Sequence, residues 1–350
     1  MSARASGRWY RFAGQLELGV RGGPRAQRHF SAEYGDASCA PAATPADVEL
    51  ELAGALALAG GSARGRLGRH KAARWRVDAS QRADGGIDVR GTAIGPLALM
   101  FVQTYFVEPL LALVAADREL VLLPAAGFHN ARGATVVLGG SGTGKTSLAA
   151  DRLAAGGGVL GDDQILVTAG GAALPFPRRL RLYPDLVHVA PAAYGSLGSA
   201  QRGALRSLAA LGAVTGGRLA PPLRVPTSRL GSAPRPAAVP INRVVFVERG
   251  GSRTEVQQLE RAELLDRAQA TIAAQRSVLS RDIPGLRERI ERATGLEEAV
   301  LGEAFAEGRR RSFHAIERDQ PPLRHVIIRA ERPPVPGDET GADGQAADRP

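Results

Sequence analysis

Residues Gly139-Gly140-Ser141-Gly142-Thr143-Gly144-Lys145-Thr146 have the spacing G-x-x-x-x-G-K-T of a phosphate-binding loop. Glycines admit backbone torsions that side chains block, so successive N–H groups can turn inward around phosphate oxygens. A helix starting at the end of the loop adds the partial positive charge of its N-terminus. Lys145 is the group expected to reach the β- and γ-phosphates, and the Thr146 hydroxyl is the expected ligand of a magnesium ion. Only Lys71 and Lys145 are lysines among 45 basic residues. Arginine serves every other basic position, yet the loop carries the compact ammonium, which a planar guanidinium does not replace. The nucleotide-contacting set is therefore Gly139, Gly140, Ser141, Gly142, Thr143, Gly144, Lys145, Thr146 and the following Ser147.

A phosphate loop binds a nucleotide; a reaction needs more. Asp162 and Asp163 follow Lys145 by 17 and 18 residues. They close a short apolar run, Gly158–Gly161, that reads as the next strand. In a parallel sheet this places both carboxylates at the same edge as the loop. One can hold magnesium, directly or through water. The other can orient or deprotonate an attacking hydroxyl, because adjacent aspartates need not share an environment. Further on, Pro175-Phe176-Pro177-Arg178-Arg179-Leu180-Arg181 puts three arginines on a stiffened segment. Arg178 and Arg179 are the candidates for steadying transferred charge; a basic surface loop is the plain alternative.

The elements that must position these groups are legible around them. Ala134–Leu138 is an apolar, β-branched run and reads as a buried strand before the loop. Thr146–Leu153 reads as the helix after it, ended by Gly156-Gly157-Gly158. Leu120–Leu123 reads as a neighbouring strand, Gln164–Thr168 and Ala172–Leu174 as a hairpin, and Ile241–Glu248 as a strand. Helices are expected near 201–211, 260–280 and 284–308, and a last strand over Leu323–Ile328. Residues 1–117 read as a separate β-rich module of unassigned role. Its segments Gln15–Val20, Val48–Leu52, Ala73–Val77 and Ile87–Arg90 alternate, and Trp9, Tyr10, Phe12, Phe30, Tyr34 and Trp75 supply a small core. Residues 118–330 then form the nucleotide-binding domain. Residues 331–350, almost without apolar side chains, are expected to be disordered.

The run Val136–Ala149 together with Gly158-Val159-Leu160-Gly161-Asp162-Asp163 resembles the HPr kinase/phosphorylase family, whose catalytic domain is related to phosphoenolpyruvate carboxykinase. The short interval from loop to Asp pair carries the resemblance, which covers about residues 119–185. It implies an α/β phosphate-loop domain that uses ATP and Mg2+ to phosphorylate a serine hydroxyl. It implies Asp162 as catalytic base, Asp163 nearer the metal, and an oligomer. Two departures stand out. Pro124 occupies the position of the family's histidine before the loop, with His129 five residues later on an expected turn. Tyr183–Val189 replaces the family's phosphorolysis loop and its metal-binding glutamate. The chain thus resembles the divergent HPr-kinase-like proteins found beside biosynthetic clusters, a kinase without the reverse activity. Its acceptor is an unidentified hydroxyl on a protein, peptide or small molecule. An ATP-binding regulator or a plain ATPase are the rival readings.

Composition narrows the partners. The net charge of +10 is scattered and aromatics make up 5%, so stacking platforms are scarce and no nucleic-acid partner is expected. The single cysteine, Cys39, permits no internal disulfide. The first ten residues carry arginines but no apolar stretch, so no secretory signal is expected. The most apolar run, Ile94–Ala116, contains Gln103, Glu108 and Pro109, which fit a core element rather than a membrane span. A cytoplasmic setting is expected.

Overall fold

The computed structural model describes residues 7–53, 66–70, 73–95, 97–140, 143–216, 221–230, 237–247 and 260–305. The expected strand at Leu323–Ile328 and the expected disorder of 331–350 lie outside these residues. So do Ser141 and Gly142 of the loop. The described chain is a mixed α/β protein built on two seven-stranded mixed sheets and a two-stranded ribbon.

The first sheet contains β1 (Gly7–Phe12), β2 (Leu16–Gly22), β3 (Ser38–Cys39), β4 (Val48–Leu52), β5 (Arg66–His70), β6 (Ala73–Gln81) and β7 (Ile87–Ile94), in the order β3-β1-β2-β4-β7-β6-β5. The chain leaves β2 through helix α1 (Pro24–Tyr34) and returns parallel to it as β4. Tyr10, Phe12, Phe30 and Tyr34 are fully buried between sheet and helix.

Helix α2 (Ala98–Ala116) links the two sheets. It is long and apolar enough to cross a membrane, but 83% of its apolar window is buried inside the protein. A widened π-type turn spans Gln103–Val107 just before Pro109. In a regular helix the proline ring would clash with the carbonyl of Tyr105; the wide turn accommodates it.

The second sheet contains β8 (Leu120–Leu123), β9 (Ala125–Asn130), β10 (Gly133–Gly139), β11 (Gly158–Gly161), β12 (Ile165–Thr168) and β13 (Ala172–Leu174). The ribbon pairs β14 (Leu180–Leu182) with β15 (Leu223–Val225), and β16 (Val239–Val247) returns to the centre of the sheet. The order is β11-β9-β10-β16-β13-β12-β8. Side chains alternate along β10 as a pleated strand requires. Val137 faces Ala149, Ala150 and Leu153 of helix α3 (Lys145–Ala154). Val136 and Leu138 face the opposite layer, formed by α5 (Arg261–Asp282) and α6 (Arg287–Ala304). Between them in sequence, α4 (Ser199–Val214) packs through Leu205 against the cluster on the α3 side.

Three sequence expectations differ from the structure. Leu120–Leu123 is not the neighbour of the strand before the loop; it forms the far edge of the sheet, paired with β12. The chain breaks at Pro124, which has no N–H for a ladder, and re-enters beside β10 as antiparallel β9. His129 therefore lies on a strand, not on a turn. The sheet is mixed rather than parallel, though β10 and β11 still run the same way because antiparallel β9 lies between them.

One apolar cluster spans residue 117. Tyr10, Phe12 and Tyr34 share it with Leu120, Leu122, Leu166, Leu174, Phe176 and Leu279. The Phe176 ring stacks on Phe12 with centroids 4.5 Å apart and meets Tyr34 edge-on at 6.0 Å. Its backbone N–H donates to the Leu160 carbonyl at 3.1 Å. The Pro-Phe-Pro segment is thus a strap pinned to both sheets. Phe176→Ala is expected to cost about 3–5 kcal/mol, read as a shift in the urea midpoint. A loss below about 1 kcal/mol would mean the ring does not anchor the strap.

Candidate functional site

The loop leaves β10 at Gly139 with φ +147°, and a Cβ there would come 2.3 Å from the Val247 carbonyl oxygen. No other residue fits that contact. Gly144 precedes α3 in the left-handed region, at φ 95°. Thr143 Oγ1 donates to the Gly140 carbonyl at 3.0 Å, tightening the turn. The first N–H groups of α3, those of Lys145, Thr146 and Ser147, have no acceptor within the helix. Lys145 Nζ donates to the carbonyls of Gly139 at 2.6 Å and Gly140 at 2.8 Å. Burial pushes its ammonium down, while Asp163 and Asp162 pull it up.

β11 delivers the Asp pair to the same edge, but the two side chains differ. Asp162 is 3% exposed and accepts a hydrogen bond from Thr146, while its Oδ1 has no protein partner. Burial, and then the charge of Asp163, raise its carboxyl well above the usual range. Asp163 opens into the cleft with a side chain 31% exposed. Its Oδ2 lies 3.1 Å from Arg181 Nη1 and 3.7 Å from Arg178 Nη1.

The strap supplies these arginines. Arg178 turns inward, with its side chain 3% exposed, and Nη1 donates to Glu108 Oε2 at 3.1 Å. Arg181 Nη2 donates to Thr104 Oγ1 at 3.3 Å. Arg179, expected at the site, is not brought to it. Its guanidinium pairs with buried Glu33 of α1 at 2.6 Å, and Arg224 pairs with the same oxygen at 2.7 Å. Neighbouring side chains of an extended segment point to opposite sides, so Arg178 and Arg179 cannot both face the cleft.

Together these groups enclose a cleft of about 650 Å3. One wall holds Gly139, Gly140, Gly144, Lys145 and Thr146, and another holds Asp163, Gln164, Arg178 and Arg181. The third is Phe246 with Arg267, Ala270, Thr271 and Ala274 of α5, the Arg267 guanidinium lying 5.1 Å over the Phe246 ring. Pro124 also lines the cleft. Of the expected residues, Gly139, Gly140, Gly144, Lys145, Thr146, Asp163 and Arg178 converge on the cleft; Thr143, Ser147 and Asp162 are buried and do not line it. Glu108, Gln164, Arg181 and Arg267 complete the surroundings.

No protein-family model and no curated protein matches this chain. The chemistry of the site thus rests on its own residues. Among the described residues, no three or more His, Cys, Asp or Glu side chains gather as a metal cage. Magnesium keeps several waters and takes only one or two protein oxygens, so it needs none. The Thr146 hydroxyl and the unpartnered Asp162 Oδ1 fit that demand, and a divalent cation there would favour the ionised carboxylate that burial opposes.

Proposed function

We propose that this chain is an ATP- and magnesium-dependent phosphotransferase of the HPr-kinase-like type, acting on a hydroxyl acceptor. The observation that carries this reading is the convergence of Lys145, Thr146, Asp163, Arg178 and Arg181 on one cleft. The loop N–H groups and Lys145 would grip the phosphates. Thr146 and Asp162 would hold magnesium, which would supply positive charge to offset that developing on the phosphates. Asp163, on the cleft wall beside Arg181 and Arg178, would take the acceptor's proton. This exchanges the roles that the family resemblance gives the two aspartates, because burial removes Asp162 from the acceptor's reach. The acceptor oxygen bonds to the γ-phosphorus, the bond to the β,γ-bridging oxygen breaks, and ADP leaves. Arg178 and Arg181 offset charge on the transferred group.

A catalytically quiet ATP-binding regulator is the second reading. Pro124 favours it, since a residue that cannot titrate lines the cleft where the resembled family has histidine. The two are separated by incubating the protein with γ-labelled ATP, magnesium and lysate of its host, with Asp163→Asn alongside. A labelled product absent from the variant supports the kinase. Tight ATP binding with neither label transfer nor phosphate release supports the regulator. Phosphate release without any acceptor supports an ATPase.

A further inference from the structure

Glu108 has no exposed surface, yet it lies in the cleft wall behind Arg178. Its Oε1 accepts from Tyr34 Oη and from Gln103 Nε2, each at 2.8 Å. Its Oε2 accepts from Gln164 Nε2 at 3.2 Å and Arg178 Nη1 at 3.1 Å. The donors come from α1, from the widened turn of α2, from the residue after the Asp pair, and from the strap. Gln103 is oriented in turn, because its Oε1 lies 2.8 Å from His29 Nε2. Burial holds the His29 imidazole down at about 4, so it is neutral and donates. The carboxylate is thus fixed from four directions.

That effort is hard to explain as stabilisation. Desolvating two charges offsets most of their attraction, and an apolar pair of the same volume often does as well. Arg178 adds to the cost, because its Nε and Nη2 are buried with no partner. Gln164 Oε1 beside it is likewise unpartnered. Two unpartnered donors and one unpartnered acceptor, all buried directly behind a cleft wall, mark a place held for something other than stability.

We infer that Glu108 is a positioning residue: it clamps Arg178 through Nη1 and so fixes where the guanidinium meets the cleft, beside Asp163, to face the γ-phosphoryl group. The inference rests on reading the cleft as an ATP site. Glu108 touches no nucleotide and acts only through the guanidinium. Tyr34, on the first sheet's helix, thereby becomes part of the support of the phosphate site.

The test is calorimetric titration with magnesium of ADP and of the imido analogue of ATP, which does not turn over. Parent, Glu108→Gln and the double variant Glu108→Gln/Arg178→Gln are compared, with thermal midpoints alongside. The parent is expected to prefer the triphosphate. Glu108→Gln should lose that preference by about tenfold, the scale of one charge-assisted hydrogen bond, while ADP affinity stays within about twofold. The double variant buries no lone charge, so it should regain the thermal midpoint without regaining the preference. If Glu108→Gln does not fold, Glu108→Asp replaces it; its shorter reach should cause the same loss. A preference that persists in the Glu108 variant, or returns in the double variant, overturns the positioning role and leaves the ATP reading standing. Equal parental affinity for both nucleotides also overturns it. A parent that binds neither nucleotide removes the ATP reading, and the positioning role falls with it.

Discussion

Lys145→Ala is expected to weaken ATP binding by about a hundredfold or more, the loss of two or so charge-assisted contacts to phosphate in a partly desolvated site. The ammonium already sits among the loop carbonyls, 2.6 Å from that of Gly139 and 2.8 Å from that of Gly140, so a phosphate entering the loop finds it in place. Lys145→Arg should not restore affinity. A guanidinium is wider, and the glycine contacts that close the loop leave it little room. The thermal midpoint without nucleotide should move little, since two hydrogen bonds at a half-buried site are all that is lost. Titration of ATP into parent and variants decides the matter: equal affinities would mean that the loop does not grip phosphate.

The two aspartates should separate cleanly. Asp163→Asn is expected to lower phosphoryl transfer by about a thousandfold, in the range of a lost general base, with ATP affinity nearly unchanged. Asp162→Asn should act through the metal instead. Its transfer rate should fall at low magnesium and recover in part as magnesium is raised, while the parent is already saturated. The measurement is the transfer rate against magnesium concentration for all three proteins. The reverse pattern, with magnesium rescue for Asp163→Asn only, would return the base to Asp162 as the family resemblance has it. Each variant needs a thermal midpoint as control, because Asp163 also balances Arg181 at 3.1 Å.

The loop could be read directly because its chemistry leaves little choice of residue. Glycines are demanded where the backbone approaches Val247, and the single lysine after Gly144 stands out in an arginine-rich chain. The Asp pair was legible from spacing alone, since a ten-residue helix and a four-residue strand fill the interval. Strand β9 was hidden because Ala125-Ala126-Gly127 carries no β-branched signal and a proline precedes it. Glu108 stood out only as a charge within an apolar run. Its partners Tyr34 and Arg178 are 74 and 70 residues away along the chain, beyond any local pattern. Arg178 and Arg179 look alike in sequence; which one turns inward is decided by where Phe176 is pinned.

The stacking of Phe176 on Phe12 also bears on how the protein is made. The first ring leaves the ribosome long before the second, and the strap cannot seat on Phe12 before residue 176 has been made. Contacts so distant along the chain form late and slow the search for the native state. A nascent chain that already contains the whole phosphate loop and the Asp pair still lacks its arginine wall. If the cleft binds nucleotide as proposed, that competence is expected to arise with the closing of one aromatic contact, rather than when the loop first emerges.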